Sequence, residues 1–312
     1  MAAATAITIG NFDGVHIGHA ELISRARRLA GPQGRVIVYA FFPHPLTRLT
    51  PERAPAVLTP LEEKTRLVRA HGADELRVLA PDDALLGMSP RAFLEHIAGE
   101  CAPAWIVEGD DFHYGAGRAG NVGVLQADAA ELGIRVEVAG NVEVELRDQS
   151  QVRASSTIAR WLLSHGRAEE AARVLGRPYA LSGVVDPAEQ RGRGLGFRTA
   201  NLAPAHHVPG EGVYACRALI PGGATKPAAV SIGTNPTFRG NHLTVEAHVL
   251  DWDGEGAPEY GYPLTLEFLA WVREQRVYTN PAALADQIAR DVADIRGICA
   301  EFAEGTEQET AV

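Results

Sequence analysis

The stretch Ala6–Ala30, AITIGNFDGVHIGHAELISRARRLA, decides how the first half of the chain folds. "AITI" is a short apolar run of the kind a buried strand makes. "AELISRARRLA" spaces its apolar residues for a helix. Between them lies Gly10–His19, GNFDGVHIGH, at the point where a strand should turn into a helix. In a parallel α/β sheet, ligands bind beyond the carboxyl ends of the strands, at helix N-termini. Gly10 and Gly14 let the backbone bend and approach a ligand closely. The helix after His16 would aim its first amides at phosphate. His16 and His19 stand one turn apart, so both imidazoles can face one pocket. Gly18 between them leaves room for a flat ring such as adenine. This arrangement suits the charge that builds on a phosphate during nucleotidyl transfer. A plain capped helix with surface histidines is the other reading of the same letters.

Moving outward, the alternation continues. "RVIVYAFF" precedes "LEEKTRLVRAHG", "ELRVLA" precedes "PRAFLEHIAGE", and "AWIVEG" precedes a Gly-rich loop and "VGVLQADAAELG". Strand and helix in turn, with little period-two alternation in the strands, predict a Rossmann-like parallel sheet covered on both faces. After Arg153 the pattern changes. "ASSTIARWLLSHGRAEEAARVLG" reads as two short helices. "GVYACRALI", "KPAAVSIG", "LTVEAHVLDW" and "LTLEFLAWV" read as short strands punctuated by Gly, Pro and Asn, as in a small β-barrel. A closing helix follows, with Leu284, Ile288, Val292 and Ile295 on one face. The expected domains are 1–176 and 177–304, with a polar, disordered tail over 305–312.

Bulk composition narrows the choices. A chain of 312 residues is comfortable for two domains. A net charge of -10 argues against a nucleic-acid scaffold but leaves room for a small phosphorylated ligand. Neither a membrane span nor a signal peptide is read. The three cysteines are far apart and form no C-x-x-C, so a reducing cytoplasm is expected.

A second signature strengthens the first. "RASSTIAR" supplies Ser155, Ser156, Thr157 and Arg160 at another loop-to-helix point. Small hydroxyls there can cap the helix and bond phosphate oxygens, and the arginine offers a fork to a polyphosphate. Taken alone, a plain N-cap is the simpler reading. The letters H-I-G-H also occur in class I aminoacyl-tRNA synthetases, but their lysine-rich second motif is absent here. The longer string "IGNFDGVHIGH" instead resembles the bifunctional bacterial riboflavin kinase / FAD synthetase family. The other motifs agree in order: "FFPHP", "EEK" with Lys64, "EGDDFHYGAGRAG", "SSTIAR", "LGRPYALSGVV", "RGRGLGFRTANL", "GVYA", "SIGTNPTF", "VEAHVLD" and "YGYPLTLEF". The resemblance covers Ile7 to about Glu301.

The resemblance implies that the N-terminal half transfers AMP from ATP to FMN, with Mg²⁺, and that the C-terminal half phosphorylates riboflavin. The matching positions for ATP in the first half are Gly10, Asn11, Asp13, His16, Gly18, His19, Ser155, Ser156, Thr157 and Arg160, with His16 and His19 as catalytic groups. Flavin would meet His44, Asp111, Phe112, Tyr114 and Arg118, with Phe112 or Tyr114 as an apolar wall. In the second half Thr199 and Asn201 match metal ligands, both oxygen donors suited to Mg²⁺. Glu246 matches the catalytic base, Gly183 and Arg193 the ATP contacts, and Arg273 a flavin contact. The implied partners are ATP, riboflavin and FMN, with no nucleic acid or membrane; self-association is left open.

The chain departs from the family's pattern mostly in the kinase half. Arg198 replaces a signature proline, Pro187 stands where a glycine is usual, and Gln275 stands where a glutamate is usual. In the first half Ala40 replaces a Thr, Glu108 an apolar residue and Ile158 an Arg. Two alternatives therefore stand beside the bifunctional enzyme. One is a diverged nucleotidyltransferase acting on another phosphate, with a weakened kinase half. The other is a flavin- or nucleotide-binding module without turnover.

Overall fold

The computed structural model describes residues 4–187, 199–234, 243–276, 278 and 280–310. The chain divides into two units, Met1–Ser156 and Thr157–Val312.

In the first unit, β1 (Thr5–Gly10), β2 (Arg35–Phe41), β3 (Glu75–Leu79), β4 (Trp105–Gly109) and β5 (Arg135–Ala139) form one parallel sheet in the order β3-β2-β1-β4-β5. Helices α1 (Ile17–Ala30) and α2 (Leu61–Ala70) cover one face through Ile23, Ala26, Leu67 and Val68. Helices α3 (Pro90–Cys101) and α4 (Val122–Glu131) cover the other through Phe93, Leu94, Ile97, Leu125 and Ala129. Both faces are buried, which is why the strands read as continuous apolar runs.

From β1 the chain winds one way to β2 and β3, then returns to the other side for β4 and β5. The topological switch point therefore lies between β1 and β4, where open α/β sheets bind ligands. Here β4 pairs with β1 only at Ala6 and Ile7, whereas β2 follows β1 along its full length. Past Ile7 the two central strands part.

In the second unit, α5 (Ser156–Ser164) and α6 (Ala168–Leu175) lead into a closed antiparallel barrel. Its strands are β6 (Tyr179–Asp186), β7 (Ala200–Pro204), β8 (Gly212–Leu219), β9 (Thr225–Thr234), β10 (Leu243–Val249) and β11 (Pro263–Arg273). They close in the order β6-β7-β10-β9-β8-β11. Helix α6 packs against β11 within this unit. The last helix, α7 (Pro281–Thr310), seats Ile295 and Cys299 on the barrel beside Ala215, Leu269 and Ala270. It runs to Thr310, within the stretch where the sequence suggests a disordered tail; Glu and Gln are good helix formers.

Candidate active sites

The turn after β1 is tightly wound. Phe12, Gly14 and Val15 all have positive φ, at 46°, 80° and 40°. A β-branched residue in this region is a costly outlier, on the order of 1–3 kcal/mol, so the surroundings must hold it. Phe12 and Val15 are completely buried, packed in the core with Ile23 of α1. His16 then caps α1, and Ala20 donates its amide to the His16 carbonyl.

The His16 and His19 rings stack with centroids 3.6 Å apart and planes 24° apart, and Phe12 lies 4.7 Å from His19. Spacing by one helical turn does bring the two imidazoles together. Gly18 lies against the His16 ring. A Cβ there would meet the His16 ring at 3.1 Å and the Ala154 carbonyl at 3.5 Å. The absence of a side chain at Gly18 lets the His16 imidazole sit close against the start of α1.

Behind this turn stands a set of polar clasps. Asp13, only 6% exposed, accepts amide hydrogens from Leu58 and Thr59 at 3.0–3.1 Å. Its carbonyl accepts the Ser156 hydroxyl at 2.7 Å, tying the S-S-T motif to the turn. The buried Lys64 of α2 donates its ammonium to the Asn11 carbonyl at 2.8 Å and lies 5.3 Å from the Phe42 ring centroid. Beyond the motif letters E-E-K, nothing in the sequence around Lys64 marks this contact, which joins a helix to a turn 53 residues away in the chain. Thr157 and Arg160 sit one turn apart at the start of α5.

The loop after β4 holds the expected flavin residues, and the structure separates them. Tyr114 is 6% exposed and packs into the core near Phe93, stacked on Phe112 at 5.4 Å. Phe112 is the half-buried member of the pair. Gly120 must lack a side chain because a Cβ there would meet the Tyr114 ring at 2.5 Å. Arg153 bonds Asp111 at 2.7 Å and approaches Asp110 at 3.6 Å, joining this loop to the strand that precedes Ser155. His44 accepts the Leu46 amide on Nδ1 at 3.1 Å, which leaves Nε2 as the protonated nitrogen of a neutral ring. Arg118 is exposed in a left-handed conformation, φ 59°.

The second site lies in the barrel unit. Strand register places Asn201 opposite Glu246, and Glu246 opposite Ser231, so β7, β10 and β9 present one polar row. Their neighbours Val230, Ile232, Val245 and Ala247 are buried in the barrel, so the row lies on its outer wall. Ser231 and Glu246 of that row, together with residues of α7, line a cavity of about 250 Å³; Asn201 is not among the residues lining it. Thr199, Glu246, His248 and Ser231 line one side, and Leu284 and Ile288 the other. Arg273 forms part of the wall but is engaged by Asp291 through three contacts of 2.7–3.0 Å, while its Nη1 donates to the Glu274 carbonyl. Gln275 donates to the Ser231 hydroxyl at 2.5 Å and to the Ile232 carbonyl at 3.3 Å. Gly183 sits on β6, where a Cβ would meet the Ala203 carbonyl at 2.6 Å, so the barrel itself demands glycine there. Arg193 and Arg198 lie outside the described residues. Thr199 and Asn201 offer hard oxygen donors beside a carboxylate, a donor set that fits Mg²⁺.

A parallel-sheet unit with a polyphosphate-suited turn, followed by a barrel with a carboxylate-lined cavity, defines a two-unit enzyme of phosphate chemistry. A family model described as FAD synthetase matches residues 1–157, and one described as riboflavin kinase matches 175–299. The chain is 33% identical to the bifunctional riboflavin kinase/FMN adenylyltransferase of Escherichia coli (strain K12), over 91% of this chain and 90% of that one. It is 35% identical to the Pseudomonas fluorescens protein of the same name, over 95% and 93%. A crystal structure described as a macrolide-efflux protein from Streptococcus pneumoniae matches with a TM-score of 0.83 at 25% identity, covering 95% of both chains. The efflux role is stated of that protein; among the described residues here, no helix is long and apolar enough to cross a membrane. The chain belongs to the bifunctional riboflavin kinase/FMN adenylyltransferase family.

Proposed function

We propose that the barrel unit phosphorylates riboflavin with ATP and that the parallel-sheet unit transfers AMP from a second ATP to the resulting FMN, giving FAD. The observation that carries this reading is that each unit holds its own phosphate-suited site: the stacked imidazoles at the end of β1, and the Asn201–Glu246–Ser231 row of the barrel wall, two of whose members line the cavity beside α7.

In the barrel, riboflavin lies against Leu284 and Ile288 and presents its 5'-hydroxyl to Glu246. Glu246 takes the hydroxyl proton as the oxygen attacks the γ-phosphorus and ADP leaves. Thr199 and Asn201 would hold Mg²⁺, which when bound neutralises charge on the transferring phosphate. Arg273 keeps the wall in place through Asp291 rather than offering its guanidinium to the flavin.

In the first unit, a phosphate oxygen of FMN attacks the α-phosphorus of ATP and pyrophosphate leaves. His16 and His19 donate to the phosphate oxygens as charge builds, and Ser155 and Ser156 supply further donors. Asp13 shapes the turn through the Leu58 and Thr59 amides. Phe112 is the aromatic that meets the flavin, since Tyr114 serves the core. Both reactions consume ATP, in keeping with the reducing cytoplasm expected from the three separated cysteines.

The test supplies the purified protein first with riboflavin and Mg·ATP, then separately with FMN and Mg·ATP, and separates the flavins by chromatography. FMN and FAD should form in the first case and FAD in the second. FAD from FMN without any FMN from riboflavin would sink the kinase assignment. Absence of both products would leave a binding module.

A further inference from the structure

The opening between β1 and β4 contains a side chain that nothing above uses. The register that pairs Ala6 with Trp105 and Ile7 with Ile106 would next bring Ile9 level with Glu108, but the backbones have already parted there. The Glu108 carboxyl fills the gap. Its Oε1 accepts the Ile9 amide at 2.6 Å, replacing the carbonyl that a continuing β-ladder would supply. Glu108 is 2% exposed, on the last buried turn of strand before Gly109. Ile9 is the residue before Gly10, where the turn carrying Asn11, Asp13 and His16 begins. An apolar side chain at position 108 could fill the space but would leave the Ile9 amide without this acceptor, at the edge of the ligand crevice.

We propose that Glu108 is a positioning residue for adenylyl transfer: its carboxyl sets the opening between β1 and β4 and holds the start of the phosphate turn. The inference rests on the reading of the first unit as the adenylyltransferase. Burial pushes the Glu108 carboxyl well above the ordinary carboxylate range; the Ile9 amide pulls it back, and the charge of Asp111 adds to the rise. The working form is therefore the neutral acid, which a buried crevice accommodates far better than an anion. The charged groups on the surrounding elements do not neutralise an anion there. Asp110 and Asp111 follow in the same loop and are taken up by Arg153. Glu137 of β5 pairs with Arg25 of α1. Thr8 and Ile9 of β1 carry no charge. When Glu108 ionises, the opening must admit water or widen, and the turn loses its register with β4.

The test measures FAD from FMN and FMN from riboflavin on the full chain between pH 6 and 10, for wild type, Glu108→Gln and Glu108→Leu. The wild type should lose adenylylation at alkaline pH while phosphorylation persists. Glu108→Gln keeps the acceptor for Ile9 but cannot ionise, so its alkaline loss should move up by at least about one pH unit or vanish. Glu108→Leu removes the acceptor and should lower kcat/KM for adenylylation about tenfold or more at every pH, with a circular dichroism spectrum and a melting profile like wild type as the sign that the first unit is folded. One shared alkaline limb for wild type and Glu108→Gln overturns the proposal, as does wild-type adenylylation by Glu108→Leu. Should Glu108→Leu fail to fold, the comparison with Glu108→Gln still decides. A wild type that makes no FAD from FMN overturns the reading of the unit instead, and hydrogen exchange of the Ile9 amide then tests the carboxyl: protection lost with rising pH in wild type but kept in Glu108→Gln supports the clamp, and equal pH dependence in both refutes it.

Discussion

The turn after β1 is built from neighbours in sequence, whereas the cavity beneath α7 is built from residues that only strand register brings together. In the first, Gly10 to His19 carry both candidate catalytic imidazoles, and distant residues act from behind to hold the turn in its left-handed steps. In the second, Thr199, Ser231, Glu246 and Arg273 come from separate segments, and the barrel's hydrogen bonding sets their places. The first is sensitive to whatever clasps the loop. The second is sensitive to single functional groups on a rigid wall.

The largest effect expected from this contrast is at Glu246. Glu246→Gln keeps the size of the side chain but cannot accept a proton, so riboflavin phosphorylation should fall by about 10²–10⁴-fold. FAD formation from supplied FMN should stay near wild type. Equal losses in both assays would mean that the wall is not independent of the turn. Next comes His19→Ala, which removes one member of the imidazole stack. Adenylylation should fall on the order of 10²-fold or more, the usual result of losing one preorganised donor, with phosphorylation intact. Adenylylation near wild type would show that the stack supports the helix start and does not meet phosphate.

A third experiment probes the clasp rather than the chemistry. Asp13→Ala leaves the Leu58 and Thr59 amides without their carboxylate, and each buried orphan costs about 1–3 kcal/mol. Thermal inactivation of adenylylation should therefore move down by several degrees, and the activity that remains should be reduced. An unchanged inactivation midpoint would show that water or a neighbouring loop replaces the carboxylate.

These differences explain what the sequence could tell. The strand–turn–helix at Ala6–Ala30 was legible because turn residues, helix start and histidines lie side by side, and α1 begins at Ile17 as the letters require. The two-faced parallel sheet followed from unalternating strands. The roles of Asp13 and Gly18 were not legible. Asp13 acts on amides 45 and 46 residues away. Gly18 is set by where the His16 ring comes to rest. Phe112 and Tyr114 are equivalent in a sequence that cannot say which one faces the core. Glu108 looked like a mere departure from a pattern, because its position matters only where β1 and β4 part. In the barrel, the Asn201–Glu246–Ser231 row depends on register, which no local motif encodes.

Glu108 also gives the first unit a stability signature of definite sign. Its folded pKa is raised by burial, so the folded chain keeps a proton that the unfolded chain releases near pH ~4.3. Wild-type stability contributed by this group is full below that value and falls by about 1.4 kcal/mol per pH unit up to the folded pKa, then levels off. Glu108→Gln lacks the slope. In urea melts at pH 5 and pH 6, the variant should gain on wild type by up to about that amount as pH rises. A constant gap would place the carboxyl outside the buried crevice.

The smallest effect should be at Gln275, where the rigid wall meets its one departure among the described cavity residues. Its amide donates to the Ser231 hydroxyl and the Ile232 carbonyl, and Ser231 lies in the same row as Glu246. In Gln275→Glu the carboxylate can only accept. The Ser231 hydroxyl can rotate to donate to it, but the Ile232 carbonyl would then face a negative charge, so the new side chain should turn toward the cavity. The loss is that of about one neutral hydrogen bond, ~0.5–1.5 kcal/mol, so riboflavin phosphorylation should drop severalfold and by no more than about tenfold. The added negative charge near Glu246 should also raise the pH at which the base becomes active, moving the acid limb of the kinase profile upward. Adenylylation gives the control, since nothing in the turn after β1 involves this residue. A kinase rate that rises with the acid limb unmoved would show that the wall is built for a carboxylate at this position, and that the amide of the present chain weakens it.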